Sequence, residues 1–246
     1  MGRIKVITGP FGRSRRLKRY LRENGASHIK ENEKVAYCAL SLTGIDKTTP
    51  LGASGMTLND IITSRQRAVK KILAQAGIIG YDPKKAPYSP DNNPSFQRRT
   101  ICKVDTEKIA GAKYFTMLSI LGSTGSGVEM QKAQEMMKMA VILTDNNVTD
   151  TRMKSARVIN VGYDHLEKQA NRLAQMFEML KEYTPGAGLK NGEPILIGHK
   201  TRWSKPVDLE EVVYTEFPEF EYVHRKEIDP AKMIPVDPNQ FYETAT

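Results

Sequence analysis

The sequence predicts an α/β protein: a doubly wound parallel sheet of about five strands, followed by an aromatic-rich C-terminal extension. Three observations predict it. Short apolar runs alternate with longer stretches of helical periodicity. The runs read as continuous hydrophobic strands, as expected when helices cover both faces of a parallel sheet. Glycine-bearing turns follow two of the runs, where such sheets bind ligands.

Residues 3–8 read as a first, central parallel strand, turned by Gly9, Pro10, Phe11 and Gly12 into a helix over 14–24 that stops at Gly25. Leu17, Tyr20 and Leu21 form its inner face, and most of its arginines and lysines form a solvated outer face. Arg13 follows the strand's C-terminal turn and is a candidate phosphate contact. Within 26–56, residues 35–42 have strand character and 48–55 are loop-like. A helix over 57–76 repeats Ile61, Ile62, Val69, Ile72, Leu73 and Ala76 at helical spacing and ends at Gly77. Residues 78–81 form the second strand and 82–99 a Pro- and Asn-rich loop. A short helix carrying Asp105 precedes a strand over 114–120. Further strands are expected at 140–144 and 157–162, with an amphipathic helix over 166–183. From 184 the chain is rich in Pro and aromatic residues, and 212–223 reads as extended or hairpin, with Pro218 at an edge. A tail this aromatic is expected to pack on the domain or on a second subunit.

The chain's 246 residues, 39% hydrophobic, fit one globular domain with insertions or with an appendage. Two cysteines, no signal peptide and no apolar run of membrane-spanning length predict a reduced, cytoplasmic protein with no membrane partner. The four histidines lack metal-ligand spacing, so neither metal nor cofactor is expected. A net charge of +9 suits nucleic acid or an anionic small substrate. Nucleic acid is the weaker candidate, because no nucleic-acid motif is present and the basic residues lack aromatic interleaving.

The most informative stretch is residues 118–129, read as a strand end, a glycine-rich turn and the first turn of a helix over 128–139. Glu129 heads the face that carries Ala133, Met136, Met137 and Ala140. A carboxylate at a helix N-terminus is stabilised by the dipole, so Glu129 is expected to stay ionised, as suits a nucleophile. A plain first-turn Glu fits the spacing equally well. Gly125 and Gly127 allow close approach to the backbone, and Ser123 with the turn's N–H groups suits a phosphate.

The pattern Ser123-x-Gly125-x-Gly127-x-Glu129 resembles the motif of the nucleoside 2-deoxyribosyltransferase superfamily, in which the Glu is the glycosyl-accepting nucleophile. Ser, where transferases acting on free nucleosides carry Asp, is similar to the nucleoside 5′-monophosphate N-glycosidase branch, since a hydroxyl can donate to a phosphate that Asp would repel. Asp105 lies 24 positions before Glu129 (129 − 105), as in that branch. Residues 6–12 look like the family's first strand and Gly-Pro turn, but Val6 stands where the family often has a Tyr that orients the nucleophile. Either another group orients Glu129 or the site is altered. The resemblance implies a flavodoxin-like, Rossmann-like strand order and a 1–183 domain. It also implies an insertion at 26–56, an extension at 184–246, and a homodimer or larger assembly. It implies Glu129 and Asp105 as catalytic groups. Gly9, Pro10, Phe11, Gly12, Arg13, Ser123, Gly125 and Gly127 become substrate contacts. The expected reaction is hydrolysis of a (deoxy)ribonucleoside 5′-monophosphate to free base and sugar 5-phosphate. The alternatives are a 2′-deoxyribosyltransferase and a noncatalytic nucleotide sensor.

Overall fold

The computed structural model describes residues 19, 21–40, 48–50, 55–85, 98–119, 124–136, 138–144, 158–162, 166, 168–184, 195–196 and 207–223. The strands are β1 (Asn32–Leu40), β2 (Ile79–Tyr81), β3 (Ala112–Ser119), β4 (Met139–Thr144), β5 (Val158–Gly162), β6 (Tyr183–Thr184), β7 (Ile195–Leu196), β8 (Val207–Asp208) and β9 (Glu221–Val223). The helices are α1 (Leu58–Gln75), α2 (Arg98–Gly111), α3 (Thr124–Glu135), α4 (Ala170–Leu180) and α5 (Leu209–Glu216).

The main sheet has the order β2-β1-β3-β4-β5-β9, with β1 to β5 parallel and β9 antiparallel to β5. The order 2-1-3-4-5 is that of flavodoxin-like doubly wound sheets. A small antiparallel sheet, β6-β7-β8, stands apart. Among the described residues, no helix is long and apolar enough to cross a membrane.

Side chains alternate across the parallel strands and build two cores. Ala36, Cys38 and Leu40 of β1 face one side with Tyr114, Leu118, Val141 and Leu143, under α1, α4 and α5. Tyr37 and Ala39 face the other, with Phe115, Met117, Ala140 and Ile142, under α2 and α3. Burial on both faces explains why every residue of β3 is buried, the polar Lys113, Thr116 and Ser119 included.

Two helix ends are set by glycine. Gly25, at φ 68°, lets Ala26 N–H reach the Leu21 carbonyl at 2.8 Å and Gly25 N–H that of Arg22 at 3.1 Å. Gly77, at φ 66°, repeats the pattern, with Ile78 N–H on Leu73 at 2.8 Å and Gly77 N–H on Ala74 at 2.9 Å. Both are left-handed C-terminal caps of the Schellman type. The first supports the expected stop at Gly25, and the second delivers the chain directly into β2.

Several expectations are corrected. The expected first strand at 3–8 lies outside the described residues, and the position between β2 and β3 belongs to β1. The stretch 26–56 is therefore not simply an insertion: Asn32–Leu40 is a central strand, buried from Ala36 onward. Residues 98–99, expected at the end of a loop, begin α2. α3 starts at Thr124, four residues earlier than expected, and ends at Glu135, so of the face assigned to that helix Met136 and Ala140 lie beyond it, Ala140 in the strand expected at 140–144. The stretch expected to be extended at 212–223 instead begins as α5. Its buried residues Leu209, Val212, Val213 and Phe217 recur at helical spacing, and tertiary burial overrides the β-branched valines. Pro218 falls in the turn between α5 and β9.

Candidate active site

The site lies over β1 and β3, where the strand order reverses. Chain leaving β1 passes through α1 to β2 on one side. Chain leaving β2 crosses through α2 to β3 on the other. Helices diverge at such a switch point, and ligands of open α/β sheets bind in the crevice left there. Three elements each supply one side chain to it: Tyr37 from β1, Asp105 from α2 and Glu129 from α3.

Tyr37 is held from both sides. Its register partners are Tyr81 on β2 and Phe115 on β3. Its ring stacks on Phe115 at 5.8 Å and 3°, and lies 5.6 Å from Tyr81. A buried ring clamped by two others has one rotamer available, so its hydroxyl is fixed in place. That hydroxyl is 2.9 Å from Glu129 Oε1 and 3.1 Å from Asp105 Oδ1. The two carboxyls separated by 24 residues in the chain therefore meet at one phenol oxygen.

Asp105 is buried on α2, one turn before Ile109, which anchors the helix in the core. Glu129 is half-buried, and its second oxygen, Oε2, is shielded from solvent with no hydrogen-bond partner. Lys132, one turn after Glu129, ties α3 to α2. Its ammonium donates to Thr106 Oγ1 at 2.8 Å and to the Cys102 carbonyl at 3.1 Å. Ser126 lies one turn before Glu129 on the same helix face, and its buried hydroxyl also lacks a partner. So does the hydroxyl of Tyr81, whose ring carries the Lys108 ammonium 5.6 Å from its centre. Polar atoms left unsatisfied inside a fold are costly; of the eight such side-chain atoms among the described residues, three belong to Glu129, Ser126 and Tyr81.

The electrostatics differ from the expectation that Glu129 stays ionised. Burial, then the neighbouring Asp105 charge, push the Glu129 carboxyl up to about 8; the Tyr37 hydrogen bond and Lys132 only partly oppose this. Because α3 begins at Thr124, Glu129 sits in its second turn, so the helix terminus acts on it less than expected. Asp105 is also raised, by burial, against the Tyr37 hydrogen bond and Lys132. Tyr37 is pushed far up, by burial first and then by both acids, and keeps its proton.

Of the expected substrate contacts, Gly125 and Gly127 are exposed in the first turn of α3, and a methyl group on Gly127 would meet nothing within 4 Å. Gly9, Pro10, Phe11, Gly12, Arg13 and Ser123 lie outside the described residues. The residue that sequence reasoning missed is Tyr37. Its hydroxyl makes the hydrogen bond to Glu129 that the valine at position 6 has no group to make. The signal was present: an aromatic inside the apolar run 35–40, which has strand character.

No protein-family model matches the chain, and no curated protein matches it. Among solved structures, it is similar to the Clostridium botulinum CMP N-glycosidase BcmB. The identity is 13%, the TM-score is 0.40, and the match covers 58% of this chain and 99% of that one. At this distance the function has to be read from the site itself.

Proposed function

We infer that the protein cleaves the N-glycosidic bond of a (deoxy)ribonucleoside 5′-monophosphate by hydrolysis. The observation that carries this reading is the pair Asp105 and Glu129 on the single hydroxyl of Tyr37 at the sheet's switch point. Two carboxyls in unlike environments are what glycoside cleavage needs: one attacks the anomeric carbon and the other manages the proton. Glu129 Oε1 is held by Tyr37, which leaves Oε2 to attack C1′. The C1′–N bond breaks, its electron pair leaves with the base, and a glycosyl ester remains on Glu129. Asp105 orients the sugar or assists proton transfer to the base. Water then attacks C1′, freeing sugar 5-phosphate and Glu129. The monophosphate part of the reading rests on Ser123, Arg13 and the glycine turns at 9–12 and 125–127, nominated by sequence. A homodimer or larger assembly belongs to the same reading.

The Tyr37 contact supports a working nucleophile over a noncatalytic sensor. The test is base release from a panel of ribo- and deoxyribonucleoside 5′-monophosphates, with the matching nucleosides and with a second base added. Release from monophosphates alone, unaffected by the added base and reduced about a thousandfold or more in Glu129→Gln, is expected. Transfer to the added base identifies a transferase, and binding without release identifies a sensor.

A further inference from the structure

A phenol hydroxyl has one hydrogen, and an ionised carboxylate has none. Tyr37 Oη nevertheless lies within hydrogen-bond distance of a carboxyl oxygen on each side, at 2.9 and 3.1 Å. Were Asp105 and Glu129 both ionised, one of these contacts would set a charged oxygen against the lone pairs of another, with no proton between. In a buried site that arrangement is strongly unfavourable. Both contacts are full, two-centre hydrogen bonds only when one carboxyl is protonated. It then donates to Tyr37, while Tyr37 donates to the other.

The charges around the pair agree with that count. α3 brings the cation Lys132, which acts on both carboxyls. α2 brings Asp105 itself, β1 brings Tyr37, and β3 faces Tyr37 with the neutral Phe115. β2 adds the neutral Tyr81, with Lys108 of α2 over its ring. One protonated and one ionised carboxyl leave a single negative charge for Lys132 to offset.

We propose that the resting site stores one acidic proton on the Asp105–Glu129 pair, and that Tyr37 relays it between the two carboxyls. The relay has two end states. In one, Asp105 donates to Tyr37 and Tyr37 to an ionised Glu129. In the other, both protons have moved one place, and Asp105 is ionised. The first state presents the nucleophile and the acid together. The catalytic consequence rests on the N-glycosidase reading. Glu129 bonds to C1′ as the C1′–N pair departs, and the proton leaves Asp105 for the base. The Tyr37 hydrogen then turns from the new ester to the Asp105 carboxylate. Water adds to C1′, its proton returns to Asp105, and Glu129 leaves as carboxylate.

The test is infrared spectroscopy of the full chain without substrate, so it stands even where no base release is found. Protein is prepared with ¹³C at the side-chain carboxyls of all Asp, or of all Glu. At neutral pH the expected result is a carbonyl band of protonated carboxylic acid, part of which shifts with each label. Tyr37→Phe, with its fold checked by circular dichroism, is expected to leave a band that moves with one label only. No acid band in the native protein overturns the stored proton. A native band that moves with one label alone overturns the sharing, and sharing that survives in Tyr37→Phe overturns the relay.

Discussion

Glu129 shows how far a residue's chemistry departs from its identity. In water its carboxyl titrates at 4.5; beside Asp105 and out of solvent it is pushed up to about 8. The sign of the linkage follows. Between these values the folded protein keeps a proton that the unfolded chain has lost. Stability therefore falls as pH rises through this window, and the loss is complete above about 8. The raised Asp105 carboxyl adds in the same direction. Melting temperature is thus expected to decline from pH 5 to pH 8, and to decline less steeply in Glu129→Gln, which has nothing to ionise. At pH 8 that variant is expected to melt above the native protein while its base release falls about a thousandfold or more, the usual cost of a functional site to its fold. Equal slopes for the two proteins would contradict the buried-acid account. The pair Asp105 and Glu129, which lie on the helices that flank β3, was picked out in the chain by a spacing that resembles the family's. Tyr37 was not, because its partnership is formed across 68 and 92 residues and depends on which strand is central.

At the scale of elements, local chemistry set most boundaries. α1 is delimited by its own residues: Thr57 and Asp60 form a reciprocal capping box, with Thr57 N–H on Asp60 Oδ2 at 2.8 Å and Asp60 N–H on Thr57 Oγ1 at 3.2 Å. Gly77 closes the other end. Thr57→Ala is expected to cost about 1 kcal/mol in urea unfolding with an unchanged m-value. A change within error would mean the N-terminus of α1 is held by packing alone. The helix over 166–183 shortened to Ala170–Leu180 in its described form, with Leu173, Met176, Phe177 and Leu180 buried as the periodicity required. The errors fell where propensity and burial disagree. Val212 and Val213 read as strand formers, yet Leu209, Val212, Val213 and Phe217 bury one helical face against the sheet.

At the scale of the whole molecule, residues 209–223 are part of the main core. β9 pairs with β5, and Leu209, Val212, Val213, Phe217 and Phe220 join the core cluster under α1 and α4. Phe217 and Phe220 stack at 6.1 Å. Arg172 of α4 lies 4.8 Å from the Phe217 ring and pairs with Glu219 at 2.7 Å. Phe220→Ala is expected to destabilise the protein by about 3–5 kcal/mol, read as a lower urea midpoint in one cooperative transition. Loss of the tail's structure in a separate, earlier transition would show instead that it folds independently. The sequence by itself determined the α/β class, the helical faces and their glycine stops, because periodicity and turn chemistry act over a few residues; Asp105 and Glu129 were set beside each other only by the family resemblance of their spacing. Only the tertiary structure decided that β1 is an interior strand, between β2 and β3, and that α5 is a helix. It alone joined two acids through Tyr37 and raised Glu129 above its solution value. These depend on strand order and burial, which are set by contacts between distant parts of the chain.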